Sequence, residues 1–137
     1  MRVVVDTNVW LPGLMLPRSV SGHIVRAASS AEITAVSSEP MLEELRLTLN
    51  YRKLRPRIPL SDSELERYLT ELRYLVEMVE IGSTRSRVPR DRGDDIILAT
   101  CIASQADYLL SGDTDLLSLR DQYAVLTPRE FYDQHLR

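Results

Sequence analysis

The sequence predicts an α/β fold in which a central parallel sheet with strand order 3-2-1-4-5 is covered on both faces by helices, giving three α/β/α layers. Strand-like runs alternate with helical segments along the chain, which is typical of βαβ units. The first run, Val3-Val4-Val5, is entirely β-branched and contains no polar residue, as in a central strand buried on both faces. At 137 residues, 44% hydrophobic and 27% charged, the chain fits one globular domain.

Five short apolar runs predict the strands of this sheet. They lie at Val3 to Asp6, Glu32 to Val36, Val79 to Ile81, Asp107 to Leu110 and Ala124 to Leu126. Two helix starts carry capping boxes, at Ser61 to Glu64 and at Thr127 to Glu130, and Pro128 occupies the first helical position of the second.

An amphipathic helix of about five turns is predicted between Ser61 and Glu80, because apolar residues recur there at steps of three and four. This stripe is either a core face or a surface for a partner, and periodicity does not separate the two. The segments Asn50 to Pro59 and Ser83 to Gly93 are basic and are predicted to be loops.

Composition favours a cytoplasmic protein. The single cysteine, Cys101, has no partner for an internal disulfide, which is usual in a reducing compartment. No apolar run approaches the ~20 residues of a membrane span, and the start of the chain lacks the pattern of a signal peptide. We therefore expect no membrane contact.

Acidic residues stand at the ends of predicted elements that a parallel sheet would bring together. Asp6 ends the first strand and Asp113 follows the fourth, and these strands are neighbours in the order 3-2-1-4-5. Glu44 lies three residues after Met41 on the apolar stripe of its helix, which places it nearer the buried face than Glu43. Asp94, together with the adjacent Asp95, opens a further helix.

Such a convergence of carboxylates indicates a cation site. Carboxylates that share a cleft repel one another unless a cation neutralises them, and a purely oxygen ligand set favours Mg²⁺ or Mn²⁺ over zinc. These ions activate water and stabilise charge on phosphate, which is the chemistry of phosphodiester hydrolysis. Each acid taken alone is also a common turn or cap residue, so the prediction depends on their coincidence.

Taken together, these motifs resemble the PIN domain family. The motifs are Val4-Val5-Asp6-Thr7-Asn8-Val9, the Glu44-Leu45 helix, Arg90-Asp91-Arg92-Gly93-Asp94-Asp95, and Ala106-Asp107-Tyr108-Leu109-Leu110-Ser111-Gly112-Asp113-Thr114-Asp115-Leu116-Leu117. The resemblance covers nearly the whole chain and is greatest to the branch described as toxins of toxin–antitoxin systems, the VapC-type ribonucleases.

The resemblance implies a metal-dependent endoribonuclease with particular site residues. It implies that Asp6, Glu44, Asp94 and Asp113 are catalytic and hold Mg²⁺ or Mn²⁺, that Asp115 is an accessory metal ligand, and that Thr7, Asn8 and Ser111 orient carboxylates or phosphate. It also implies RNA, a small antitoxin protein and a second copy of the chain as partners.

Two departures from the family pattern bear on the site. Arg92-Gly93 stands where relatives often have Pro-Asp, which leaves open whether Asp95 shares the role of Asp94. Trp10 stands where smaller residues are common, and we expect it to alter the mouth of the cleft.

Charge is compatible with an RNA partner despite the net −3. Setting the five metal-ligand candidates aside leaves 15 acidic against 17 basic residues. The first candidate set of phosphate contacts precedes Asp94 and contains Arg85, Arg87, Arg90 and Arg92. A second set contains Arg52, Lys53, Arg55 and Arg57.

Two other functions use a similar pattern. One is a PIN-fold module that binds RNA or protein with little or no turnover. The other is a receiver-like phosphotransfer domain, which is disfavoured because it needs a lysine late in the chain and the only lysine here is Lys53.

Overall fold

Five parallel strands form one sheet in the computed structural model, which describes residues 1–84 and 92–137. The strands are β1 (Arg2–Val5), β2 (Thr34–Ser37), β3 (Glu77–Met78), β4 (Tyr108–Leu110) and β5 (Val125–Leu126). Their order is β3-β2-β1-β4-β5, and every neighbouring pair is parallel. The predicted order 3-2-1-4-5 is therefore confirmed, with β1 at the centre.

Helices connect the strands and cover the sheet. They are α1 (Thr7–Met15), α2 (Val20–Ser29), α3 (Glu39–Leu49), α4 (Asp62–Leu75), α5 (Arg92–Ser104), α6 (Thr114–Leu117) and α7 (Pro128–Phe131), with a 3₁₀ turn at Arg55–Arg57 and a π-helical turn at Tyr132–Leu136. Both predicted capping boxes are present, at Ser61 and Thr127. Within residues 1–84 and 92–137, no helix combines the length and the hydropathy needed to span a membrane.

The sheet separates two hydrophobic cores. Val3 and Val5 of β1 face a core built with α1, α2, α3 and α4. Val4 faces a second core built with α5 and α6. Because successive side chains of a strand point to opposite faces, the run of three valines places apolar residues in both cores, as predicted for a strand buried on both sides.

Two glycines allow α1 and the start of α2 to pack closely. A Cβ on Gly22 would lie 2.4 Å from the carbonyl oxygen of Pro17, and one on Gly13 would lie 2.7 Å from the carbonyl oxygen of Ser21. Both distances are too short for any side chain, since the obstructing atoms belong to the backbone. The glycines thus fix the geometry of the first helical layer.

The helix predicted from Ser61 to Glu80 is shorter than expected. It ends at Leu75, because Val76 takes an extended conformation with φ −117° and ψ 152° and β3 then starts at Glu77, in register with Val36 of β2. The strand predicted at Val79 to Ile81 therefore has no residue in common with the observed β3 (Glu77–Met78). A strand so short carries too little pattern to override the helical stripe that precedes it.

The apolar stripe of α4 is a core face. Leu65, Leu69 and Leu72 are buried in the same core as Val3 and Val5. These three residues of the stripe therefore belong to the core, which is the first of the two alternatives left by the sequence.

The last helix is tied to the preceding turn through Glu130. Its carboxylate accepts the Thr127 backbone N–H at 2.9 Å and two hydrogen bonds from the Arg120 guanidinium at 2.8 Å. These bonds lower the pKa of Glu130 to about 2, and the hydrogen bonds from Arg120 make the largest contribution.

We predict that Glu130→Gln lowers the melting temperature at pH 7. The pKa of the folded-state carboxyl lies below its ordinary value of 4.5, so its stabilisation is present above pH 4.5 and is lost as the pH falls towards 2. The difference from wild type in thermal melts should therefore shrink below pH 4.5. Glu32→Gln, at an exposed position, is the control, and an equal pH dependence for both variants would contradict the assignment.

Candidate active site

A small cleft opens where β1 and β4 end. It has a volume of about 180 Å³ and is lined by ten residues: Asp6, Thr7, Asn8, Met41, Glu44, Thr48, Asp94, Ile96, Ile97 and Asp113. All four acids predicted to be catalytic are in this lining. No basic side chain is among these lining residues in the part of the chain that the structure describes.

Asp6 is a buried carboxylate held by hydroxyl groups. Its residue is 3% exposed, and it occupies the N-cap position of α1 without capping the helix. Instead Oδ2 accepts a hydrogen bond from Ser111 Oγ at 2.6 Å, and Oδ1 accepts one from Thr7 Oγ1 at 3.3 Å. The Asp6 side chain therefore bonds to two hydroxyl groups rather than to the first turn of α1.

No positive side chain compensates Asp6 within the described ranges. There, no basic group lies within 4.0 Å of its carboxylate. Burying a carboxylate is costly unless it is paired or binds a cation. The environment of Asp6 is thus suited to an added cation.

Ser111 joins Asp6 to the Asp113 turn. In the ladder Val5 is opposite Leu110, and the Asp6 backbone N–H donates to the Leu110 carbonyl at 2.9 Å. The fully buried Ser111 hydroxyl donates to Asp6 and accepts the Asp113 backbone N–H at 3.0 Å. The two strand-end acids are therefore brought together, as the topology predicts.

Asp113 has two roles in the structure, whereas Asp115 stands apart. Asp113 Oδ1 caps α6 by accepting the Asp115 backbone N–H at 2.8 Å, and the Asp113 side chain also lines the cleft. Asp115 is exposed and is not among the residues lining the cleft. Because Asp115 does not line the cleft, its role as an accessory metal ligand stays a prediction.

The other two acids, Glu44 and Asp94, lie on helices α3 and α5. Glu44 on α3 is half-buried and lines the cleft, whereas Glu43 is exposed, as the helical stripe predicts. Asp94, in the first turn of α5, is 7% exposed, where the helix dipole favours a negative charge. Asp95 lines a separate, larger cavity of about 630 Å³, so these neighbouring acids face different spaces.

A buried pair of hydroxyl groups connects α3 to α5. Ser38 Oγ, at the N-cap of α3, lies 2.8 Å from Thr100 Oγ1 of α5, and both residues are fully buried. Thr100 Oγ1 also donates to the Ile96 carbonyl at 2.8 Å. This link fixes the two helices that carry Glu44 and Asp94.

Three polar residues near the cleft were not assigned a role from the sequence. They are Thr48, which lines the cleft, and Ser38 and Thr100, which join the two helices that carry Glu44 and Asp94. Thr48 follows Glu44 by one helical turn, and this spacing is the signal that could have identified it.

The expectation for Trp10 is wrong. Its side chain is 1% exposed and lies in the core with Val3 and Val5 rather than at the mouth of the cleft. Its backbone carbonyl accepts the Tyr68 hydroxyl at 2.7 Å, which joins α1 to α4.

The two candidate RNA-contact sets have different outcomes. Arg85, Arg87 and Arg90 lie outside the described residues, and Arg92 begins α5 but its side chain also lies outside them. In the second set, Arg55 is engaged in the fold, because its guanidinium donates to the carbonyls of Ile58 and Leu60 and to Asp62. The other members, Arg52, Lys53 and Arg57, are exposed.

The cleft supplies the right donors for a hard cation but not a preassembled cage. All four acids donate oxygen, the type of ligand that Mg²⁺ and Mn²⁺ prefer. Within residues 1–84 and 92–137, however, no three acidic, histidine or cysteine side chains lie close enough to hold one ion together. Carboxylates that share a cleft repel each other unless a cation is bound, and Mg²⁺ commonly binds through one or two carboxylates and several waters, so the residues present fit such an ion.

The comparisons with known proteins agree with this geometry. The family model described as PIN domain matches residues 2–115. The chain is also similar to an uncharacterized protein of Methanocaldococcus jannaschii, with 28% identity over 143 aligned residues that cover 97% of this chain and 90% of the relative. PIN domains are generally nucleases, and the parallel sheet with order 3-2-1-4-5 agrees with a PIN-like α/β/α fold. The chain belongs to the PIN domain family.

Proposed function

We propose that this protein is an endoribonuclease that depends on Mg²⁺ or Mn²⁺ and hydrolyses RNA phosphodiester bonds. The observation that carries the proposal is the cleft, in which four carboxylates and no described basic side chain surround one small space. Carboxylates that share a cleft favour the binding of a cation. Membership of the PIN domain family supports the proposal that the cation serves a nuclease reaction.

The acids differ in the roles we assign to them. Asp6 is the central ligand, because hydroxyl donors fix its orientation and no basic group within the described ranges neutralises it. Asp94 and Asp113 complete the ligand set from the other edges of the cleft, and Glu44 binds the ion directly or through water. A bound divalent cation lowers the pKa of water and stabilises charge on the scissile phosphate.

The remaining polar groups orient the ligands and the substrate. Ser111 and Thr7 keep the Asp6 carboxylate turned into the cleft. Asn8 and Thr48 line the same space and are available to hydrogen-bond phosphate oxygens. The cleft is small, which favours a single strand over a duplex.

A cellular role as the toxin of a toxin–antitoxin system is part of the proposal. It is supported by the resemblance to VapC-type ribonucleases, and it brings with it a small antitoxin protein and a second copy of the chain as partners. A short reading frame directly upstream in the genome is the observation that bears on this role.

A non-catalytic PIN-fold module that binds RNA or protein is the second candidate. The observation in its favour is that no three candidate ligands are assembled around one point within residues 1–84 and 92–137. The two candidates differ in whether a divalent ion binds at Asp6, and metal binding therefore separates them.

We predict that Mn²⁺ stabilises the wild-type protein and not Asp6→Asn. At a concentration 100 times the Kd, binding to the folded state adds about 2.7 kcal/mol, which thermal melts in EDTA and in Mn²⁺ detect. Asp121→Asn, at an exposed acid outside the cleft, is the matched control and should respond as wild type does. Equal stabilisation of Asp6→Asn would contradict the ligand assignment.

We also predict that Ser111→Ala weakens Mn²⁺ binding about 10- to 100-fold, since groups that orient a metal ligand commonly contribute this much. The Kd comes from the same melts as a function of Mn²⁺ concentration. Ser118→Ala, which removes an exposed hydroxyl, is the control. A Kd for Ser111→Ala equal to that of the control would show that the bond to Asp6 does not position the ligand.

RNA cleavage is the direct test of the activity. Purified wild-type protein with Mn²⁺ should cleave mixed cellular RNA, Asp121→Asn should match it, and Asp6→Asn should be slower by more than about 100-fold. Attack by water leaves 5′-phosphate ends, which end-labelling distinguishes from 2′,3′-cyclic phosphates. Equal cleavage by Asp6→Asn indicates a contaminating nuclease, and cyclic ends would exclude water as the nucleophile.

A further inference from the structure

A shallow apolar surface adjoins the acidic cleft. It has a volume of about 340 Å³ and is lined by Leu47, Thr48, Tyr51 and Leu54, which together we call the Tyr51 platform. Thr48 lines both this surface and the cleft. The platform and the four carboxylates are therefore parts of one continuous surface.

The aromatic ring of the platform is exposed on a fixed backbone. Tyr51 and Leu47 are each 58% exposed. The Tyr51 backbone N–H donates to the Thr48 carbonyl at 3.2 Å, and the Tyr51 carbonyl accepts from the N–H groups of Leu54 at 2.9 Å and Arg55 at 2.8 Å. A flat ring is thus presented to solvent from a hydrogen-bonded turn, which lowers the entropy lost when a ligand stacks on it.

The segment around the platform is positively charged. Residues 50–61 contain four basic and no acidic residues. Arg55 is paired with Asp62, whereas in the described part of the chain no carboxylate lies within 4.0 Å of the remaining cations, which are Arg52, Lys53 and Arg57. Three exposed cations beside an exposed aromatic ring complement a phosphate backbone and a base.

We propose that the Tyr51 platform is a base-binding subsite for single-stranded RNA. One base stacks on the Tyr51 ring, and Arg52 and Lys53 contact the flanking phosphates. This inference rests on the proposed function for the identity of the adjoining cleft. It also explains how negatively charged RNA can approach four carboxylates. Arg52 and Lys53 lie outside the cleft, are not neutralised by its acids, and attract the RNA phosphates.

A partner protein is the less favoured occupant of the platform. Protein interfaces are depleted in lysine at their centre, and here Lys53 follows the aromatic residue by two positions. Aromatic rings interleaved with unpaired cations are the common means of holding a single strand regardless of its sequence.

The test is an RNA-binding measurement in EDTA, where no cleavage takes place. A short fluorescein-labelled single-stranded oligoribonucleotide is titrated with protein and followed by fluorescence anisotropy. A matched strand with abasic sites in place of bases separates stacking from phosphate contacts. The variants are Tyr51→Ala, Tyr51→Phe, which keeps the ring, and Tyr74→Ala, which removes an 85% exposed tyrosine outside the platform.

We expect Tyr51→Ala to weaken binding of the base-containing strand about 5- to 150-fold, the range for loss of one stacked base. Tyr51→Phe and Tyr74→Ala should bind as wild type does, and Tyr51→Ala should have no effect on the abasic strand. Arg52→Gln and Lys53→Gln should each lower the salt dependence of binding, by about 0.7 in the slope of log K against log salt concentration. Thermal melts check that each variant is folded.

Three results of the RNA titrations would overturn the inference. They are equal affinities of Tyr51→Ala and Tyr74→Ala, an equal loss on the abasic strand, and no binding of RNA by the wild type in EDTA. A change from dimer to monomer in Tyr51→Ala with unchanged RNA affinity would identify the platform as an interface between copies and would also overturn it.

Failure of the proposed function has a separate signature. In that case Asp6→Asn and wild type behave alike with Mn²⁺, while the effect of Tyr51→Ala on RNA affinity persists. Loss of the Tyr51 effect with cleavage still dependent on Asp6 rejects only the subsite.

Discussion

The burial of the Asp6 carboxylate at the end of the central strand is the constraint on which the site depends. A buried carboxylate needs hydrogen-bond donors, and here the hydroxyl groups of Ser111 and Thr7 donate to Asp6. Ser111 is available because β4 lies next to β1 in the sheet, with Leu110 opposite Val5. The parallel pairing of two strands far apart in the sequence is thus also what orients the first acid of the cleft.

Residue patterns predicted the centre of the molecule well. The valines of β1 identified a strand buried on both faces, and strand ends identified Asp6 and Asp113 as neighbours. Helical spacing correctly distinguished Glu44 from Glu43. These predictions succeeded because the periods of strands and helices directly fix which way a side chain faces.

The periphery was less predictable for physical reasons. The two residues of β3 are too few to show alternation, and the change from helix to strand at Val76 depends on pairing with β2. The burial of Trp10 depends on how α1 rotates after the strand. The two bonding partners of Ser111 and the second surface that Thr48 lines depend on tertiary contacts, which no local pattern encodes.

The direction of the hydrogen bond between the Ser38 and Thr100 hydroxyl groups follows from a third group. Thr100 uses its single proton on the Ile96 carbonyl, so the proton between the two hydroxyl groups belongs to Ser38. Replacing one of the two residues is consequently expected to cost more stability than replacing the other. Alanine at position 38 leaves the Thr100 hydroxyl bonded to the Ile96 carbonyl, whereas alanine at position 100 leaves the fully buried Ser38 hydroxyl without this acceptor. In related sequences we therefore expect Ser38 to be replaced first and Thr100 only after Ser38 has been lost.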